Sequence, residues 1–519
     1  MSPPENTTVP RLYNAAEALL ARNRAHPTRV AVTDDRGSTT FGELEVLAAR
    51  AAKALRGLGL EPEQRVMLCL QDSVEFHACF LGAMLLGALP VPINTLLTTE
   101  DYSQLLADSR ARLLVVSAAL YPKLRDAVKA APSLTAVIIE GDSIDGHPAL
   151  GVLMDQSSSA RPQLLTTPDD VAFWLYSSGS TGRAKGVMHL HGSLEETARL
   201  YGEAVLGVRA DDVIFSAAKL FFAYGLGNAL TFPLFAGARS VLRRERPTPA
   251  SVLKTLAEEK VTIFCGVPTL FAAMLADRAP PPPLALRCCI SAGEALPEEV
   301  GRRFRERFGV DILDGIGSTE MLHIFISNRH GQVRYGASGQ PVAGYEAQLR
   351  NEAGEVLNGQ AEGLLWVKGP SAAVGYWNNR ARSLETFHGP WTRTGDNYAR
   401  LADGTYVYSG RSDDMLKVGG IWVSPFEVES ALLCHAAVLE CAVVGHADEA
   451  ELVKPKAFVV LKVPGQASPA LADELKVFVK EKLAPYKYPR WVEFVAELPK
   501  TATGKIQRFR LRRSPTRSS

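Results

Sequence analysis

From the N-terminus to about residue 320, strand-length apolar runs alternate with segments of helical period, and this alternation restricts the chain more than any other feature. It describes parallel sheets covered by helices. The runs are RVMLCL (65–70), LLVVS (113–117), AVIIE (136–140), VIFSAA (213–218), TIFCGV (262–267) and LRCCISAG (286–293). One unit displays the local logic. Thr40 and Glu43 make a capping box, Leu44, Leu47, Ala48, Ala51 and Leu55 share a helical face, and Gly57 and Gly59 end the helix before RVMLCL. After about residue 330 the strands are shorter and punctuated by glycine, as in GLLWVKG (363–369) and TYVYSG (405–410), a texture of antiparallel β structure. Ser424, Pro425 and Glu427 then open a capped helix and a new α+β run. The expected fold is α/β. A large N-terminal domain (1–411) holds two mostly parallel, helix-covered sheets and a small β subdomain at about 330–411, and a hinge joins it to a small α+β C-terminal domain (412–519).

Charge narrows the classes of partner. Lys and Arg total 57 against 56 Asp and Glu, so there is no global field for gathering nucleic acid or an anionic membrane. Phosphate must be bound locally. The longest apolar stretch, FLGAMLLGALPVPI (80–93), is shorter than a membrane span and holds two prolines, and MSPPENTTVP does not resemble a secretory leader. The expectation is a cytoplasmic protein. Seven cysteines without a CxxC pair suggest neither a zinc site nor a disulfide framework and read as buried apolar filler.

The stretch YSSGSTGRAKGV (176–187) has the composition of a loop that wraps a polyphosphate. A Walker loop would need Gly-Lys followed by Ser or Thr, but Lys185 is preceded by Ala184 and followed by Gly186. VAFWLY before it and VMHLH after it both read as strands, whereas a Walker loop enters a helix. In a strand–loop–strand setting the backbone amides and the hydroxyls of Ser177, Ser178, Ser180 and Thr181 donate to phosphate oxygens, with Gly179 and Gly182 easing the turn and Lys185 as a point charge.

This loop resembles the phosphate loop of the adenylate-forming superfamily of acyl-CoA and aryl-CoA synthetases, luciferase and adenylation domains. GSTE (317–320), TGD (394–396), GRSDDMLKVGG (410–420) and PKTATGK (499–505) resemble further family motifs in the family order. The resemblance implies two half-reactions: a carboxylate attacks the α-phosphate of ATP, giving an acyl adenylate and pyrophosphate, and the thiol of coenzyme A then displaces AMP. It implies catalytic roles for Lys505, Glu320 and Thr181, with Lys505 aimed at the α-phosphate and Glu320 holding Mg²⁺. Asp396 and Arg411 are the expected ribose ligands; Gly293, Glu294 and Ala295 of GEALP, with Asp314, Gly315, Ser318 and Thr319, fall on the nucleotide side. Asp413 occupies the hinge position, and rotation there would exchange Lys505 for the edge containing Lys417, Gly419 and Gly420 when the thioester forms.

KLFFAYGLGN (219–228) and MLHIF (321–325) are the expected walls of the acyl pocket, where Phe222, Ala223, Tyr224, Gly225, Gly317, His323 and Ile324 form a flat, mostly apolar slot suited to an aromatic ring. Lys219 and Leu220 offer no acid for the ammonium group of an amino acid. FFAYGLGN together with GSTEMLHIF looks like the benzoate:CoA ligase subgroup, although Ile316 stands where many members of the superfamily carry an aromatic residue. The expected function is an aryl-CoA ligase acting on a small aromatic acid; benzoate, 2-aminobenzoate and hydroxybenzoates all remain open. A freestanding adenylation enzyme that loads a carrier protein is the alternative, with CoA favoured because no carrier serine motif follows RFRLRR. A noncatalytic nucleotide-binding protein would be expected to have lost the chemical residues, and they are present. Lys505 on its loop is a candidate target for a protein lysine acetyltransferase, which would remove its charge. Monomer and homodimer are both open.

Overall fold

The computed structural model describes residues 12–178, 184–276, 281–411, 414–418, 421–448, 453–483, 487–500 and 506–512. Two helix-covered sheets carry most of the N-terminal domain. One has four strands, all parallel, in the order Leu89–Pro92, Arg65–Cys69, Leu113–Ser117, Ala136–Glu140. The other has nine strands among the described residues. Its parallel centre runs Ile312–Gly317, Cys288–Ser291, Ile263–Gly266, Val213–Ser216, Arg239–Val241, Val30–Asp34, and its outer strands are antiparallel. Helix Phe41–Gly57 begins with the expected Thr40–Glu43 capping box and buries Leu44, Ala48, Ala51 and Leu55. It packs on helix Val74–Leu85 so closely that a Cβ on Gly82 would lie 2.7 Å from the Ala48 carbonyl oxygen.

Strands Val171–Ser178 and Ala184–Leu190 pair antiparallel, as a strand–loop–strand reading requires, and Gly375–Tyr376 adds a short third strand. A six-stranded antiparallel sheet between Glu346 and Arg411 forms the β subdomain. The small C-terminal domain pairs Val438–Ala447 with Val453–Leu461, sets Trp491–Phe494 parallel to the latter, and packs helices Pro425–Leu433 and Pro469–Lys482 against them. Ser424 caps the first of these helices through the Glu427 amide, with Pro425 at its first position.

The cysteines carry one correction. Six are buried, but Cys434 at the end of helix Pro425–Leu433 is exposed. No helix among the described residues is long and apolar enough to cross a membrane. For function, the decisive feature is where the parallel strands end. VIFSAA forms a strand only to Ser216 and LRCCISAG only to Ser291. The chain then leaves at the carboxyl edge, where open α/β sheets bind ligands, into loops 217–222 and 292–297. Gly293, at φ +94°, makes the second of these turns.

Candidate active site

The antiparallel hairpin places Ser177 opposite Lys185. Lys185 is half-buried; its Nζ lies 3.5 Å from the Tyr376 hydroxyl and 4.6 Å from the centre of that ring. The Tyr376 hydroxyl donates to Glu320 Oε1 at 2.7 Å, and Ser177 Oγ donates to the same oxygen at 3.5 Å. Burial and the charge of Glu320 raise the Tyr376 pKa, so the phenol stays a donor at working pH, while burial lowers that of Lys185 against the pull of Glu320. Glu320 itself sits in the 3₁₀ turn Thr319–Met321, capped by Ser318, and its carbonyl accepts the Ala373 amide at 2.8 Å. The described residues contain no group of three or more potential metal ligands. A single half-buried carboxylate beside a phosphate-type loop fits a magnesium ion that draws its other oxygens from phosphate and water, and does not fit a metal caged by protein.

Tyr376 was not foreseen from the sequence. It lies 56 residues from Glu320 and 191 from Lys185 along the chain. Only the pairing of Gly375–Tyr376 with Val187 and Met188 brings it to the cluster. A Gly-Tyr-Trp run ahead of the polar Asn378-Asn379-Arg380 is the faint signal that was available.

Asp396 and Arg411 face each other across one ladder, and Arg411 donates to Asp396 Oδ1 at 3.3 Å. The carboxylate is buried and the guanidinium exposed. Gly395, at φ +79°, leaves room for Arg411, whose Nη2 would be 3.1 Å from a Cβ there. Glu294, just past the Gly293 turn, accepts the Ile506 amide at 3.2 Å, and Ala295 is half-buried beside it. Asp314 is fully buried; desolvation pushes its carboxyl well up, opposed by the backbone of Leu296 and Gly315 and by Ser291.

Of the residues expected to line the slot, Tyr224, Gly317, His323 and Ile324 come together. Phe222 precedes the short helix Ala223–Leu226, which runs into a π-helical turn, Gly227–Thr231. The Tyr224 hydroxyl donates to the carbonyls of Ile290 (3.1 Å) and Gly266 (3.2 Å), at the ends of two parallel strands. His323 is enclosed by Phe232, Tyr201 and Tyr224, with ring centroids 4.6, 5.2 and 5.7 Å away. Burial lowers its pKa to about 3, only partly offset by the Tyr224 backbone, and among the described residues neither ring nitrogen reaches hydrogen-bonding geometry. Ile324 is buried beside it, and a Cβ on Gly317 would meet the His323 carbonyl at 2.6 Å. Leu322, between Glu320 and His323, has φ +65°, a backbone reversal unusual for a branched residue. That reversal separates the two side chains: Glu320 joins the Lys185–Tyr376 cluster and His323 joins the aromatic cage.

Sequence reasoning missed Tyr201 and Phe232, which lie in or beside π-helical turns, and missed the anchor of the slot loop. Lys219 Nζ donates to the carbonyls of Arg243 (2.5 Å) and Glu245 (2.8 Å) and lies 3.7 Å from buried Asp72, whose other oxygen accepts the Leu220 amide at 3.2 Å. The Lys219 carbonyl sits so close to Gly225 that a Cβ there would be 2.0 Å away. Gly179, Ser180, Thr181, Gly182, Asp413, Gly419, Gly420 and Lys505 lie outside the described residues, as do the side chains of Ser178 and Lys417.

The AMP-binding enzyme family matches residues 19–377, and the AMP-binding enzyme C-terminal domain matches 427–505. A benzoate–CoA ligase of Thauera aromatica is 54% identical over 515 residues, covering 98% of this chain and 97% of that protein. Among solved structures, a benzoate CoA ligase from Burkholderia xenovorans LB400 has 52% identity and a TM-score of 0.91, covering 96% of this chain and all of that one. The anthranilate CoA ligase AuaEII, in complex with anthranoyl-AMP, has 43% identity and a TM-score of 0.94, with 97% of each chain covered.

Proposed function

We propose that this chain, which belongs to the AMP-binding enzyme family, is an AMP-forming acid–thiol ligase that converts an aromatic carboxylic acid to its CoA thioester through an aryl adenylate. Benzoate is the acid the slot suits best. One observation carries this: the reversal at Leu322 puts the aromatic cage around His323 and the Glu320–Tyr376–Lys185 cluster on opposite sides of a single turn. A flat ring packed beside the His323 cage would hold its carboxylate toward the Glu320–Tyr376–Lys185 cluster.

In the first half-reaction a carboxylate oxygen attacks the α-phosphorus of ATP and pyrophosphate leaves. An anion must approach a polyanion, so the protein's part is positioning and positive charge. Lys185 and the hairpin loop would hold the phosphates, Asp396 would accept the ribose hydroxyls with Arg411 beside it, and Lys505 would face the α-phosphate. Glu320, steadied by Tyr376, would hold Mg²⁺, which when bound neutralises phosphate charge. In the second half-reaction the CoA sulfur attacks the acyl carbon and AMP departs with its phosphate oxygen. The small domain would turn at Asp413 to replace Lys505 by the Lys417–Gly420 edge. Neutral His323 presents an uncharged edge to the ring, so a small amino or hydroxyl substituent is tolerated more readily than a second carboxylate.

Pyrophosphate release with ATP and Mg²⁺ over benzoates, short fatty acids and amino acids, with and without CoA, tests the reading. CoA-dependent turnover confined to benzoates is expected. Adenylation of an aryl acid without CoA turnover would point to a carrier-protein acceptor and overturn the ligase assignment.

A further inference from the structure

We infer that Glu294 is an interdomain positioning residue: its carboxylate docks the small domain for the adenylation half-reaction by accepting the Ile506 amide at the base of the Lys505 loop. The inference rests on the role proposed above for Lys505. Resemblance alone would set Glu294 against the nucleotide. The geometry gives it a partner 212 residues away, on the other domain.

Both sides of the contact are firmly built. On the large domain, Glu294 follows the Gly293 turn and precedes Leu296, which is buried, so the carboxylate stands on a short loop held at both ends. On the small domain, Ile506 bridges to Lys500, and the Gln507 amide donates to the Pro499 carbonyl at 2.7 Å, which ties 506–507 to 499–500. The Ile506 side chain packs on a cluster that includes Val444, Phe458, Leu498 and Leu511. Lys500 pairs with Glu440 at 2.7 Å, and Arg508 makes three bonds of 2.7, 2.9 and 3.3 Å to buried Glu429, which also accepts the Val443 amide. Whatever holds Ile506 therefore holds the base of the loop that carries Lys505.

Lys462, just past strand Val453–Leu461, feels the charges of helix Glu298–Phe308, which begins four residues after Glu294; Arg303 there disfavours its charge more than Glu299 favours it, so the docking attraction rests on the Glu294 bond. Rotation that brings Lys417 and its neighbours inward carries Ile506 away with Lys505 and breaks its bond to Glu294. The contact belongs to one half-reaction only.

The test measures the two half-reactions separately: ATP–pyrophosphate exchange with benzoate, and thioester formation from synthetic benzoyl-AMP and CoA. Glu294→Ala is expected to slow exchange at saturating ATP by roughly tenfold, the scale of losing a hydrogen bond to a charged group, while thioester formation and the KM for ATP hold within about twofold. Glu294→Gln, which keeps a carbonyl acceptor at the same reach, is expected to restore most of the exchange rate. Equal slowing of both half-reactions, a rise confined to the KM for ATP, or failure of Glu294→Gln to recover would each overturn the inference. Lys505→Ala serves as a separate arm. If that variant retained exchange, the role given to Lys505 would fall, whereas the ratio of half-reactions in Glu294→Ala would still decide whether Glu294 is selective for adenylation.

Discussion

Replacing Tyr376 by Phe removes one oxygen from the centre of the Glu320–Lys185 cluster and little else. The ring is buried, with its edge filled by Phe387 at 5.4 Å between centroids, so the fold should tolerate the change. The hydroxyl lost is the 2.7 Å donor to Glu320 and also lies 3.5 Å from Lys185. Because the phenol pKa is raised, it donates at every working pH, and its bond is to a charged acceptor. Such bonds contribute on the order of 1.5–3 kcal/mol, which at about 1.4 kcal/mol per decade is roughly ten- to hundredfold in rate. If Glu320 must be aimed for phosphate chemistry, that loss should appear in kcat/KM for ATP in pyrophosphate exchange, and added Mg²⁺ should recover part of it. The KM for benzoate should stay within about threefold, since the aromatic cage is not touched. Normal exchange in Tyr376→Phe, or a defect confined to the KM for benzoate, would refute the argument that this hydroxyl orients Glu320.

Other perturbations probe the slot and the core. Gly227→Ala sets a Cβ 2.4 Å from His323 Cδ2, an overlap that should cost roughly 1–3 kcal/mol; steady-state assays should find the KM for benzoate raised well beyond that for ATP, and equal increases would contradict this placement. Lys219→Met leaves Asp72 buried without its cation and should destabilise the protein by about 3–5 kcal/mol in urea unfolding, with Asp72→Asn added to it recovering part of the loss; additive losses would deny the coupling. Acid sensitivity should begin early. Burial holds His77 and His191 at about 4 and His189 and His323 at about 3, against 6.5 in the unfolded chain. Between pH 6.5 and 4 the unfolded state binds more protons than the folded one, so stability rises with pH across that window and is lost on acidification. The slope is on the order of 1.4 kcal/mol per pH unit for each group. Unfolding free energies that stay flat from pH 6.5 to 5 would show that these rings are not held neutral.

What could be read in advance was whatever lies close along the chain. The Thr40–Glu43 box, the Ser424 cap and the buried strand runs are local matters of hydrogen-bond supply and side-chain period, and they appear where the residues place them. The same holds for the hairpin around 179–183, because a run of strand residues on each side of a glycine-rich stretch leaves few other pairings. Asp396 and Arg411 were legible only through motif resemblance, and the structure adds that they are directly opposed across two adjacent strands and hydrogen-bonded to each other.

Tyr376, the Tyr201–Phe232 cage, the Lys219–Asp72 anchor and the bond from Ile506 to Glu294 could not be read this way. Each joins residues from separate elements, and nothing in the local pattern of one partner specifies the other. Lys219 reads from sequence as a polar residue near the slot; only the fold gives it three backbone carbonyls and a buried carboxylate to bind. The amino-acid sequence determined the elements, their order and the chemical repertoire, because those follow from short-range propensity and periodicity. Tertiary structure alone decided which of those groups lie side by side and which way each faces, because packing at the carboxyl edges of the sheets, and one strained turn at Leu322, set distances that no local rule contains.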